Sequence, residues 1–453
     1  MNSRLLKVLK DRDFAELFQQ GGLSFLIRIA GQLMGFLMSF LIAYYYDAEA
    51  LGNFMLALIF LRVFTLIPKL GIDTASVKLI ASFAKQKKWG SIIIFRKKTL
   101  TLVVITSIIS SVMMYFLSPI LAPLFNMQSE YLELASFFIL PMSFFVLHYQ
   151  SLRGLKRIAE FSFFYRVSQS LFAIISIFII YQFNQSSEVP IYAYLTSLVL
   201  VSFLSFISYQ FWFYKMAELD PEEVIEDLGI KKILKISIPL MLAQSVQFIM
   251  AWTDKLMLGN MMEADSVAVY SVAFRFSMIV SVTLMAINSI AAPKFAENFA
   301  TNNIDRMGNI AMQSAKMIFW TSFPLAVILL IFPDFFMGLY GKEFLTSGGV
   351  VALQLLVIGR VVNAFSGSVG NLMQMSGQQN NYMLVLFFGA VINVGLNLLL
   401  IPEENPFSHF GIKGISGAAI ASIVSLSFWN LSMVYLVKRR FGFSTIYIPF
   451  ISK

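Results

Sequence analysis

Twelve stretches of roughly 20 or more mainly apolar residues recur along the chain, at about 22–44, 50–70, 99–124, 131–152, 161–183, 190–214, 233–258, 266–291, 309–336, 347–374, 382–402 and 412–437. Each is as long as a helix must be to cross about 30 Å of hydrocarbon. None sustains the apolar/polar alternation of a barrel strand, so each has to close its own backbone hydrogen bonds as a helix. The pattern predicts an all-α integral membrane protein with 12 transmembrane helices. After the sixth span comes the one polar segment long enough to join two halves, with the acidic run ELDPEEVIED from Glu218 to Asp227. The expected organisation is a cytoplasmic amphipathic N-terminus at 1–21, an N-lobe of spans 1–6 at 22–214, a solvated cytoplasmic linker at 215–232, a C-lobe of spans 7–12 at 233–437 and a cytoplasmic tail at 438–453.

Six spans, a linker and six more spans invite a search for duplication. LGNFMLA at Leu51 to Ala57 opens the second segment as VAVYSVA at Val267 to Ala273 opens the eighth, each after a short acidic outer loop. LRGLKR from Leu152 and MSGQQN from Met375 both follow the fourth span of their half. Each half has an even number of spans, so the repeats are expected to run parallel, related by an axis along the membrane normal, with a cleft between two six-helix bundles.

Composition agrees with this reading. Hydrophobic residues make up 58% of the chain and charged residues 13%, against about 25% charged in a soluble domain. The first 20 residues are charged and amphipathic, so no cleavable signal is expected and the first span serves as its own insertion signal. The formal charge of +9 follows the positive-inside bias. With the N-terminus inside, most of the 34 Lys and Arg are assigned to cytoplasmic segments and the span ends beside them, and two, Lys342 and Lys413, to outer loops. Both termini are thus read as cytoplasmic, and no nucleic-acid partner is called for. The most basic loop, 71–98, reads as an amphipathic stretch against anionic inner-leaflet lipids. Without Cys, and with His148 and His409 as the only imidazoles, no metal site is expected.

Five basic residues are counted inside spans: Arg28, Arg62, Lys255, Arg275 and Arg360. Asp254 is the one carboxylate counted with them. Arg62, Arg275 and Arg360 lie on the order of 14 to 18 Å from a span end, too deep to snorkel. A midplane Arg facing lipid costs about 2.5 to 3.5 kcal/mol on insertion scales, so these three are expected to line an aqueous cavity. With one carboxylate against them the cavity is cationic, suited to phosphate or another anion that guanidinium grips bidentately. Arg28 is about 9 Å from the inner end and can also reach the interface. Gln244, Gln247, Asn288 and Asn363 are further candidates for the cavity wall, and each also serves as a hydrogen-bonding link between helices. No phosphate-binding loop, nucleophile elbow or zinc-protease helix occurs, and no loop is large enough for a transferase site, so the chain is not read as an enzyme.

WTDKLMLGNMMEADSVAVYSVAFR from Trp252, LGNFMLALIFLRVFTLIPKLGIDTASVKLIA from Leu51, and INVGLNLLLIPEENPFSHFGIKGISGAAIAS from Ile392 to Ser422 resemble the polysaccharide transporter family. That family belongs to the multidrug/oligosaccharidyl-lipid/polysaccharide exporter superfamily and includes O-antigen and capsule-unit flippases. The last stretch is the most specific, pairing N-x-x-L-x-L-x-x-x-P with G-I-x-G-x-x-x-A-A. The resemblance implies two six-helix lobes in a V around a central cavity. It implies alternating access that carries an undecaprenyl-diphosphate-linked oligosaccharide to the outer leaflet of a bacterial inner membrane, for O-antigen of lipopolysaccharide, capsule or exopolysaccharide. By matching position, Asp254 takes the place of the family's acidic residue late in segment 7, a gating or coupling group beside Lys255. Arg275 matches the basic residue of the Y-x-x-A-x-R pattern, and Arg28 and Arg62 match cavity cations; Arg360 rests on depth alone. No cofactor is implied beyond coupling to a proton or sodium gradient. Polymerase and chain-length proteins of the same pathway are the implied protein partners. The alternatives are a multidrug and toxin extrusion antiporter, which the cation-rich midplane counts against, and a flippase for another precursor such as that of peptidoglycan, whose relatives usually have fourteen spans.

Overall fold

The computed structural model describes residues 12–219, 226–346, 348–447 and 449, and every regular element among them is a helix. The first part of the chain contributes α1 (Arg12–Tyr45), α2 (Ala48–Lys69), α3 (Ile72–Lys85), α4 (Trp89–Leu124), α5 (Ser129–Ser136), α6 (Ile139–Gly154), α7 (Ile158–Tyr181) and α8 (Val189–Leu219). Then come α9 (Ile230–Met261), α10 (Ala264–Ser277), α11 (Val282–Ala300), α12 (Ile304–Ile331), α13 (Pro333–Gly338), α14 (Gly349–Ser366), α15 (Val369–Met375), α16 (Gln379–Leu400) and α17 (Gly414–Phe441). Among the described residues ten spans are long and apolar enough to cross a membrane, eleven when the bent pair α5–α6 is one span. The remaining predicted span, 233–258, is the 32-residue helix α9. Large apolar side chains point outward, Phe116 at 71% and Tyr435 at 62% exposure, while Ser107, Ser143, Asn397 and Asp254 are buried. That inverted polarity suits a chain whose surroundings are hydrocarbon.

The chain divides into two compact units, up to Phe248 and from Ile249 on. The division falls inside α9 rather than in the polar 215–232 segment, because the first half of α9 packs on the first unit. Gln244 Nε2 donates to Thr74 Oγ1. Gly71 sits so close that a Cβ there would stand 2.1 Å from the Ser237 carbonyl oxygen.

Several predicted spans are not single straight helices. The fourth bends by 51° between α5 and α6. Pro141 falls in the first turn of α6, where its missing N–H has no intrahelical acceptor in any case. The tenth stops at Ser366, where Gly367 takes φ 65° and packs so tightly that a Cβ would lie 2.8 Å from Ala315 Cβ. The fifth carries a π-turn, Phe164–Ser168, and a 3-10 turn, Met278–Ser281, interrupts the eighth just after Arg275. Irregular turns of this kind inside helices mark hinges and functional positions.

The 71–98 segment is not a loop. It consists of α3, which packs on α6, and the first ten residues of α4. Nor are the acidic residues that end the linker merely solvated: Glu226 pairs with Lys88 at 2.9 Å, Asp227 with Lys98, and the Glu226 N–H donates to Ser91 Oγ. The Lys88 ammonium holds the Glu226 carboxyl below its usual range. This surface tie is therefore present at neutral pH and fades as pH falls through that lowered value. The last described residues also fold back onto the second unit. Thr445 Oγ1 donates to the Ser366 carbonyl at 2.9 Å, and Trp320 Nε1 donates to Tyr447 Oη at 3.2 Å.

Candidate functional site

In the second unit a single carboxylate gathers four donors. Asp254, late in α9 and 8% exposed, accepts from Asn393 Nδ2 at 2.9 Å and Asn397 Nδ2 at 2.7 Å on Oδ1. On Oδ2 it accepts from Tyr270 Oη at 2.6 Å and from Ser422 Oγ. The sequence arranges this simply. Asn393 and Asn397 are four residues apart and share one face of α16, Tyr270 faces inward from α10, and Ser422 comes from α17, which packs on both α14 and α16. Close approach of α16 and α17 rests on Gly417, whose missing Cβ would lie 2.2 Å from the Leu400 carbonyl oxygen. Asn397 Oδ1 is buried and has no hydrogen-bond partner among the described residues. The pocket thus holds both carboxylate oxygens, amide and hydroxyl oxygens, and one buried acceptor without a donor.

Two cations stand beside this hub. Lys255 is 9% exposed, with Nζ 4.7 Å from the Trp252 ring centroid and 5.3 Å from that of Phe274. Arg360 Cζ lies 4.9 Å from the same Phe274 ring, which stacks with Tyr270 at 6.3 Å. Phe274 is thus a face shared by two positive groups, one turn from the tyrosine that holds Asp254. Lys255 is held inward over aromatic rings. Arg275 follows Phe274 and is half-buried, and Asn363 lies one turn along α14 from Arg360. Asn288 Oδ1, on α11, is buried without a hydrogen-bond partner among the described residues.

Arg28 and Arg62 belong to the first unit. Arg28 is half-buried on α1, and its Nε has no hydrogen-bond partner among the described residues. Arg62, half-buried on α2, lies within electrostatic reach of the buried Tyr149 hydroxyl on α6. Gln244 is engaged as a helix-to-helix link through Thr74. The side chain of Gln247 lies outside the described residues.

The sequence reading missed three things here. Tyr270 was read only as the first residue of the Y-x-x-A-x-R pattern. Asn393 and Asn397 entered only within the stretch Ile392 to Ser422, although their i, i+4 spacing places them on one face. Arg166, left out of the count of in-span cations, lies on the π-turn of α7, five residues from the start of the predicted fifth span.

The model of the family described as polysaccharide biosynthesis protein matches residues 17–299, more than half of the chain. The chain belongs to the polysaccharide biosynthesis protein family. The MatE family model also matches, over residues 239–399. Among curated relatives, the teichuronic acid biosynthesis protein TuaB of Bacillus subtilis is 25% identical over 270 residues, 58% of this chain and 53% of that protein. The probable multidrug resistance protein NorM of Neisseria meningitidis is 21% identical over 225 residues, 47% of this chain and 46% of that one. The chain thus spans about half the length of the curated relatives it matches. An inward-facing multidrug resistance MATE family transporter of the MOP superfamily superposes with a TM-score of 0.69 at 16% identity, covering 92% of this chain and 98% of its own. A MOP superfamily transporter from Pyrococcus furiosus, described as having reversed binding-pocket polarity, gives 0.60 at 18% identity, covering 93% and 95%. The chain shares the fold of these solved MOP superfamily transporters, which have 12 helices in two lobes. This family member is accordingly a multi-pass membrane protein.

Proposed function

We propose that the chain is a flippase that moves a polyprenyl-diphosphate-linked oligosaccharide repeat unit, with undecaprenyl as the carrier lipid, from the cytoplasmic to the outer leaflet of a bacterial inner membrane by alternating access. The observation that carries the reading is the excess of buried or half-buried positive charge in the spans, with Lys255 and Arg360 on one ring beside a single carboxylate. Guanidinium and ammonium groups withheld from water bind a diphosphate or acidic sugar and disfavour a cationic drug. The family description and the teichuronic acid relative support a glycan cargo. Arg28 and Arg62 in the first unit and Arg275 and Arg360 in the second hold the anionic headgroup at successive stages, while the lipid tail stays in the bilayer.

Asp254 is the coupling group. When a proton or sodium ion occupies its pocket, the ion supplies positive charge there, and Asp254, Asn393 and Asn397 would hold it through their oxygens. Neutralised, Asp254 no longer offsets Lys255 and Arg360, so the pair grips an anion more firmly; ionised, it competes for them and favours release. Both termini lie in the cytoplasm in this reading, and polymerase and chain-length proteins of the same pathway receive the cargo.

In cells, deleting the gene is expected to make one lipid-linked glycan accumulate on the cytoplasmic leaflet, and an Arg275→Ala copy is expected to insert normally without restoring surface polymer. Surface polymer unchanged by both, with drug susceptibility altered instead, would move the chain to the multidrug reading that its similarity to NorM offers.

A further inference from the structure

Arg166 has no part in the charge count that first suggested a cavity, yet its surroundings are more specific than those of the cations that do. It sits on the π-turn Phe164–Ser168 of α7, where one extra residue per turn shifts side chains out of ordinary helical register. Its neighbour Tyr165 is 50% exposed and stacks nearly parallel on Phe161, with ring centroids 5.5 Å apart at 10°. Arg166 Cζ lies 4.9 Å from the Tyr165 ring centroid. α1 presses onto this turn at Gly31, where a Cβ would lie 2.8 Å from both Arg166 Cβ and its carbonyl oxygen. Arg28 is three residues before Gly31 on the same face of α1, so it stands beside Arg166. Arg28 lies within electrostatic reach of Arg166, and among the described residues neither guanidinium forms an ion pair with a carboxylate. Arg28 Nε is buried without a hydrogen-bond partner among the described residues.

Two like charges, half-buried and side by side with no counterion among the described residues, are unfavourable in a protein that binds nothing there. An oxyanion between them removes the penalty, and a flat exposed ring beside them offers the apolar face of a sugar something to lie on. We infer that Tyr165, Arg166 and Arg28 form a binding site for a pyranose ring carrying an oxyanion, a sugar phosphate or a uronate. Tyr165 backed by Phe161 takes the ring face, and the two guanidiniums take the charge. The site deepens the flippase reading and rests on it for the identity of the cargo. Both cations lie within the first few residues of their predicted spans, at the end where a headgroup enters from the inner leaflet.

The test uses the full chain in nanodiscs of phosphatidylcholine and ligand-observed NMR with glucose 1-phosphate, glucose, inorganic phosphate and short-chain phosphatidylglycerol as probes. Parent protein is expected to bind glucose 1-phosphate more tightly than either of its halves. Arg166→Gln, which keeps the Cβ that packs on Gly31, is expected to weaken glucose 1-phosphate by about tenfold or more. Tyr165→Ala is expected to weaken glucose 1-phosphate and leave inorganic phosphate unchanged, and Tyr165→Phe to bind like the parent. Glucose 1-phosphate affinities within about twofold of the parent in both Arg166→Gln and Tyr165→Ala, at parental melting temperature, would overturn the site. Equal or tighter binding of phosphatidylglycerol would overturn it too, by making the pair a bilayer-lipid contact. The two readings fail separately. A gene deletion that accumulates no lipid-linked glycan removes the flippase while loss of sugar phosphate in Arg166→Gln still stands. Conversely, normal transport by an Arg166→Gln protein with parental glucose 1-phosphate binding removes the site alone.

Discussion

Asp254→Asn is expected to cut gradient-driven transport by about 5- to 150-fold, the range that corresponds to coupling energies of about 1 to 3 kcal/mol. The substitution preserves shape and removes the charge. Four donors, from Tyr270, Ser422, Asn393 and Asn397, then converge on an amide that has one acceptor oxygen and an NH2 facing donors. The mismatch costs about 1 to 3 kcal/mol of stability, the usual penalty for a buried polar group left without its partner. The distinguishing readout is what happens when the gradient is varied. Wild-type transport in proteoliposomes should respond to an imposed proton or sodium gradient, and that response should be absent in Asp254→Asn. A variant that transports at the wild-type rate and keeps its gradient response would mean that the carboxylate is a structural hub only.

Gly417→Ala is expected to lower stability by about 1 to 3 kcal/mol, the cost of overpacking a tight contact, and to reduce transport with it. The added Cβ would meet the Leu400 carbonyl oxygen at 2.2 Å and its carbon at 2.6 Å, backbone atoms that cannot swing aside as a side chain does. α16 and α17 must separate, and these are the helices that deliver Asn393, Asn397 and Ser422 to Asp254. Gly395, on α16, has nothing within 4 Å of its would-be Cβ. There the same substitution is expected to raise stability by about 0.5 to 1 kcal/mol through helix propensity. Melting temperatures of the two purified variants check the pair; Gly417→Ala melting with the parent would show that the contact yields without cost.

Hydropathy revealed where the helices are, because crossing hydrocarbon imposes a minimum apolar length that survives any detail of packing. It did not reveal the break before Pro141, the stop at Gly367 or the π-turn at Phe164–Ser168, since a window that averages about 20 residues is blind to a single turn. For the site, depth alone singled out Arg360, and the matching position in the family pattern singled out Asp254 beside Lys255. The partners of Asp254 escaped because each amide or hydroxyl, taken alone, reads as a helix-to-helix link; three of the four come from the stretch Ile392 to Ser422, which carries the most specific family pattern. Arg166 escaped for a different reason. A basic residue near the start of a span reads as interfacial, and only its packing against Gly31 and its stacking with Tyr165 set it apart.

The central claim is transbilayer movement of a lipid-linked glycan. Its most direct test reconstitutes the purified chain into sealed proteoliposomes with a fluorescent polyprenyl-diphosphate oligosaccharide and follows access of a membrane-impermeant quencher to the headgroup. The account predicts that the protein carries the headgroup from one leaflet to the other, faster with a gradient, that Arg275→Ala proteoliposomes do not, and that Asp254→Asn proteoliposomes lose the acceleration by the gradient. Headgroups that stay in their original leaflet, in vesicles where the same protein extrudes a cationic dye, would contradict it.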